Sequence, residues 1–116
     1  FFAGITTRFV DPENCFVARI LMSPSQPASD EVELQCVLEG VVTAQKYNLG
    51  DYFAPASLYT LKVHSQGGWI TVWLDGQPLL SHRCDPDDPA GTHHGMYRDL
   101  ALDAGCTFDN WLAKSL

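Results

Sequence analysis

Between Leu58 and Gly76 the chain alternates apolar and polar residues, and glycine-containing turns punctuate the alternation. Tyr59, Leu61 and Val63 recur at every second position, then Ile70, Val72 and Leu74, with Gly67-Gly68 between the two runs. A period of two is the repeat of a strand with one face buried, whereas a helix repeats every 3.6 residues. Asp75-Gly76 closes the second run where a tight hairpin turn needs positive φ, which glycine adopts without steric cost. A chain built this way is confined to antiparallel β-structure.

The same reading extends in both directions. Strands are expected over residues 4–10, 15–22, 31–38, 41–47, 58–64, 69–74, 78–83, 95–102 and 107–113, and no window has helical periodicity. Val32, Leu34, Cys36 and Leu38 point one way, while Glu31, Glu33 and Gln35 point the other. Segments 11–14, 23–30, 48–57 and 85–92 collect Pro, Ser, Asp, Asn and Gly and read as loops. Eight or nine short strands in 116 residues describe one antiparallel sandwich or jelly roll. The run Phe1-Phe2-Ala3-Gly4-Ile5 opens inside an apolar strand without an initiator Met, so we expect the polypeptide to begin upstream.

Charge narrows the partners. The formal net charge is −7, and the 7 Lys and Arg form no cluster, which argues against nucleic acid and against an anionic membrane surface. No apolar run approaches the roughly 20 residues of a helical membrane span. Four cysteines, Cys15, Cys36, Cys84 and Cys106, allow two disulfides in three pairings, and no Cys-x-x-Cys spacing occurs. If strands two and three form a hairpin, Cys15 and Cys36 face opposite ways, and Cys36 falls on an apolar face where a buried thiol is equally expected.

Several landmarks occur in order: Gly4-Ile5, Arg8-Phe9, Asp11, Asn14, Phe16 and Ala18-Arg19; then Glu33-Leu34-Gln35 and Glu39-Gly40-Val41. Tyr59, Leu61-Lys62-Val63, Ile70, Val72, Leu74-Asp75-Gly76, His94-Gly95 and Phe108-Asp109-Asn110-Trp111 follow. Together they resemble the laminin-G-like, or concanavalin A-like, jelly-roll superfamily, in the versions found in bacteriophage tail and virion surface proteins and in secreted bacterial carbohydrate-active proteins. The resemblance covers nearly the whole chain and implies two packed antiparallel sheets, often glycan binding, and a domain whose N-terminal strands precede residue 1. It also implies a late disulfide between closing strands, for which Cys84 and Cys106 are the candidates.

Glucanases of that superfamily carry a carboxylate nucleophile and acid on one strand face. Glu31 and Glu33 share a face, but Gln35 and Cys36 stand where a third acid belongs, and an outward glutamate pair is expected to be merely solvated. We therefore expect no enzyme. Asp85, Asp87 and Asp88, and Asp11 with Glu13 and Asn14, offer hard oxygens suited to calcium, in segments that read equally as acidic turns. His82, Cys84, His93 and His94 could supply softer ligands, at a spacing that matches no standard zinc motif. Nothing points to a cofactor.

The aromatic face carries the functional expectation. With Ile70, Val72 and Leu74 inward, Trp69, Thr71 and Trp73 must point outward. The neighbouring strands would add Lys62 and His64, with Arg19 and Arg8, if they lie beside it. Indole rings stack on the flat C–H faces of sugars, and the same face suits packing against further strands or another subunit. The expected function is a non-catalytic recognition or structural module at a virion surface or outside the cell, contacting glycans or neighbouring subunits in an oligomeric assembly. The alternative is a carbohydrate-binding accessory domain of a secreted bacterial hydrolase.

Overall fold

The structure, a computed structural model, describes residues 2–23, 29–54, 57–91 and 93–98. Its strands are β1 (Phe2–Asp11), β2 (Asn14–Leu21), β3 (Asp30–Leu38), β4 (Val41–Gly50), β5 (Leu61–Gln66), β6 (Trp69–Leu74), β7 (Gln77–Arg83) and β8 (His93–Arg98). Among the described residues there is no helix. One antiparallel sheet has the order β4-β3-β2-β1-β8 and the other β5-β6-β7.

Local chemistry explains the hairpins. Glu39-Gly40, Gly67-Gly68 and Asp75-Gly76 all have positive φ at both positions, as a two-residue turn matching the strand twist requires. Asp75, the non-glycine member of its pair, is held on both sides. Its N–H donates to the Thr60 carbonyl, its Oδ1 accepts the Thr60 N–H at 2.8 Å, and its Oδ2 accepts the Tyr52 hydroxyl at 2.7 Å.

Alternation then builds the core. Phe16 and Ala18 of β2 and Val32 and Leu34 of β3 meet Ile70, Val72 and Leu74 of β6, all buried in one cluster. Burying an aliphatic or aromatic side chain of this size contributes about 1.5–3 kcal/mol. Tyr59, Leu61 and Val63 pack against the same cluster, as their spacing implies. The far face of the larger sheet buries a second group, Cys15, Val17 and Val37. Cys15 and Cys36 therefore lie on opposite faces of one sheet.

Several boundaries differ from the sequence reading. β4 continues to Gly50 because Asn48 and Gly50 still pair with Glu31 and Asp30. β5 begins at Leu61, since Thr60 spends its N–H and carbonyl on Asp75, and Leu58 is left 82% exposed. β8 begins at His93, two residues earlier than expected, where it pairs with Phe9. The expected strand at 107–113 lies outside the described residues, as does Cys106.

The outward glutamates also behave differently. Glu33 is only 5% exposed. It stands directly opposite Arg19 on one side and Lys46 on the other, and its carboxylate bridges them at 2.7 and 3.7 Å. Cross-strand charge pairing, not hydration, fixes it. Asp30, read as the end of a loop, is buried at 1% exposure at the start of β3. Its Oδ1 accepts the Ser23 N–H at 2.8 Å, and its Oδ2 accepts those of Tyr52 and Phe53 at 2.9 Å each.

Candidate functional site

The outward face of β5-β6-β7 gathers much of what the sequence suggested. Trp69, Thr71 and Trp73 alternate with buried Ile70, Val72 and Leu74. Register sets Lys62 opposite Trp73, His64 opposite Thr71 and Gln66 opposite Trp69. On the other side Arg83 stands opposite Trp69, and Ser81 opposite Thr71, with their hydroxyls 3.4 Å apart.

The two tryptophans are not equivalent. Trp69 is 48% exposed, flanked in register by an amide and a guanidinium. Trp73 is half-buried, and the Lys62 ammonium lies 4.2 Å from its ring centroid, so a cation already occupies one face of that indole. The Trp73 Nε1–H is buried without a hydrogen-bond partner. Trp69 is thus the ring open to a flat ligand.

Arg19 and Arg8 are not part of this face. Both belong to the five-stranded sheet, across the core from β6. Arg19 lies on that sheet's outer side in the ion pair with Glu33. Arg8 sits at the irregularity of β1, with φ +50, and its guanidinium lies 5.9 Å from the Phe16 ring centroid. Arg8 and Arg19 would join this face only if strands 1 and 2 lay beside β6, and the topology puts those strands in the other layer.

The acidic and cysteine candidates resolve separately. The Asp11 carboxylate closes its own turn, accepting the Glu13 N–H and the Asn14 amide, while Asn14 Oδ1 accepts the Glu39 N–H. In loop 84–91, Asp85 and Asp87 are exposed, but Asp88 turns inward. Its Oδ2 accepts from the Asp85 N–H at 2.8 Å and meets His82 Nε2 at 2.9 Å; its Oδ1 accepts the Cys36 thiol at 3.7 Å. Cys84 accepts a hydrogen bond from Arg8 Nη1. Cys15, Cys36 and Cys84 are free thiols, and the expected partner of Cys84 lies outside the described residues. His93 is exposed and is not one of this group.

Burial pushes the Asp88 carboxyl up, but the hydrogen bonds from His82 and the Asp85 N–H outweigh it and hold the group below the usual carboxylate range. An ionised Asp88 accepts a hydrogen bond from His82 in the tautomer that carries its hydrogen on Nε2. Burial, reinforced by the Asp88 charge, pushes the Cys36 thiol up to about 11. Beside this group an open cleft of about 240 Å³ is lined by Phe16, Leu34, Cys36, Thr43, Gln45 and His82, among others.

Comparisons with protein-family models, with curated proteins and with solved structures return no match. The architecture is that of an all-β protein with two antiparallel sheets packed as a sandwich.

Proposed function

We propose that the chain is a non-catalytic recognition module of the concanavalin A-like jelly-roll kind, and that the outward face of β5-β6-β7 binds carbohydrate. The observation that carries this reading is Trp69. A half-exposed indole on the central strand of a three-stranded sheet, with Gln66 and Arg83 opposite it on the two neighbours, offers a stacking surface between hydrogen-bonding side chains. Sugars present that combination of apolar C–H faces and equatorial hydroxyls, and the side chains supply the complementary donors. Thr71, Lys62 and His64 extend the polar rim along the strands. As the sequence resembles phage tail and virion surface domains, such a module would work on a virion or outside the cell, and a secreted hydrolase would use the same face in the same way.

A glycan-array screen of the full chain tests it. The wild type should bind a defined subset of glycans, and Trp69→Ala should weaken that binding by about tenfold or more, roughly the cost of removing an anchor residue. The far-ultraviolet spectrum should be unchanged, because the side chain is on the solvent side. Trp69→Ala that leaves glycan binding intact but disperses an oligomer would make the face a subunit contact instead.

A further inference from the structure

Four side chains that the proposed glycan face does not use converge at one end of the sandwich. His82 continues the inward side of β7, with its ring centroid 5.3 Å from that of Phe16. Cys84 follows at period two and packs on the same core. Cys36 comes from β3 in the opposite sheet, and Asp88 reaches back from loop 84–91. That loop is seated tightly on β1: the Gly91 N–H donates to the Arg8 carbonyl at 3.2 Å, and a Cβ on Gly91 would meet the Phe9 carbonyl oxygen at 2.0 Å. The ligand atoms of His82, Cys84 and Asp88 lie within 4.8 Å of one another, and Cys36 Sγ is 3.7 Å from Asp88 Oδ1.

We propose that Cys36, His82, Cys84 and Asp88 form a tetrahedral site for a divalent transition metal of the zinc class. Bonds of about 2.3 Å to sulfur and about 2.0–2.2 Å to nitrogen and oxygen place tetrahedral ligand atoms roughly 3.3–3.8 Å apart. The separations among His82, Cys84 and Asp88 bracket that range, so shifts of about 1 Å seat these three ligands, and Cys36, whose Sγ is already 3.7 Å from Asp88 Oδ1, turns in as the fourth. Two thiols, an imidazole and a carboxylate form a soft-to-borderline set that favours zinc over calcium or magnesium.

Coordination balances chemically. The ion displaces one proton from each thiol, and His82 moves its proton from Nε2 to Nδ1 as Nε2 becomes a ligand. Two thiolates and a carboxylate around a divalent ion leave one excess negative charge. Arg8, already donating to Cys84 Sγ, supplies the compensating positive charge from outside the shell. The cleft bordered by Thr43 and Gln45 leads to Cys36 and His82 and provides the entry path. The ion would tie β3 of one sheet to β7 and loop 84–91 of the other, giving a small sandwich a cross-link between its layers.

Cobalt(II) is the probe. The reduced, chelator-stripped full chain should bind a single equivalent, with visible bands of tetrahedral cobalt and near-ultraviolet thiolate-to-cobalt charge transfer of two-thiolate intensity. Zinc should displace it and raise the melting temperature. Cys36→Ser and Cys84→Ser should each weaken cobalt binding by about tenfold or more and reduce the charge-transfer band, whereas Cys15→Ser and Cys106→Ser should leave it unchanged. Should the serine variants fail to fold, the folded wild-type spectrum decides. Absence of thiolate charge transfer in wild type, or its loss in Cys106→Ser with retention in Cys84→Ser, overturns the site and leaves a hydrogen-bonded cluster that seals the sandwich. Glycan binding through Trp69 is read independently of this spectrum.

Discussion

Replacing Asp30 with alanine should destabilise the fold by about 3–5 kcal/mol, with a matching fall in the urea midpoint. The buried Asp30 carboxylate accepts three backbone N–H groups, from Ser23, Tyr52 and Phe53. The Phe53 N–H is buried, and a donor left buried and unpaired costs about 1–3 kcal/mol, with the part-buried Ser23 and Tyr52 donors adding less. Loss of the side chain would remove its bond to Ser23 and its hold on the segment after β4, which carries the Tyr52, Phe53 and Tyr59 ring cluster. Asp30→Asn keeps the volume but turns one acceptor into a donor facing backbone N–H groups, so it should recover little. Burial pushes the carboxyl up, and the three backbone hydrogen bonds push it down further, so its folded value lies below the ordinary one. A depressed folded pKa adds stability above the unfolded value of about 3.9, lost as pH falls through the folded pKa. Wild type should therefore lose stability steeply below about pH 4, and Asp30→Asn should show a shallower acid limb. A urea midpoint within error of wild type for Asp30→Ala would remove this carboxylate from the account of stability.

Gly4→Ala should be of comparable severity, about 3 kcal/mol or more. Gly4 lies inside β1, opposite Arg19 of β2 and Tyr97 of β8. A Cβ there would stand 2.0 Å from the Ala18 carbonyl oxygen and 2.7 Å from the Arg19 Cα. Both are backbone atoms, so no rotamer change relieves the clash, and the strands must separate where the ladder is central. Overpacking of this kind usually costs about 1–3 kcal/mol, more when backbone must move. Thermal unfolding checks it, and a melting temperature for Gly4→Ala equal to that of wild type would mean the strands are spaced more widely than described.

What the sequence made legible was local. Period-two alternation and glycine pairs placed β2, β3, β6 and β7, and put Trp69, Thr71, Trp73, Lys62 and His64 on one outward face. The layer to which a strand belongs is not local, because equal alternation serves either sheet; that is why Arg8 and Arg19 were grouped with a face they do not share. Glu33 was misread for a related reason: its burial comes from Arg19 and Lys46 on two different strands. The cluster at the sandwich end was half visible. Alternation carried through β7 puts Leu80, His82 and Cys84 on one side, and the same rule turns Cys36 inward. Asp88 and the docking of loop 84–91 on β1 depend on tertiary contacts that no period encodes, and the bonds of Asp30 to segments on either side of β3 are of the same kind.

The central claim is that recognition happens on the outward face of β5-β6-β7. Its most direct test is a two-dimensional ¹H–¹⁵N titration of the full chain with a glycan selected by array. The account predicts that the Trp69 indole signal and the amides of Lys62, Thr71 and Arg83 shift in a saturable way, while those of Thr43 and Gln45 beside the inter-sheet cleft stay fixed. Shifts confined to Thr43, Gln45 and His82, with Trp69 unmoved, would contradict it and place the ligand between the sheets.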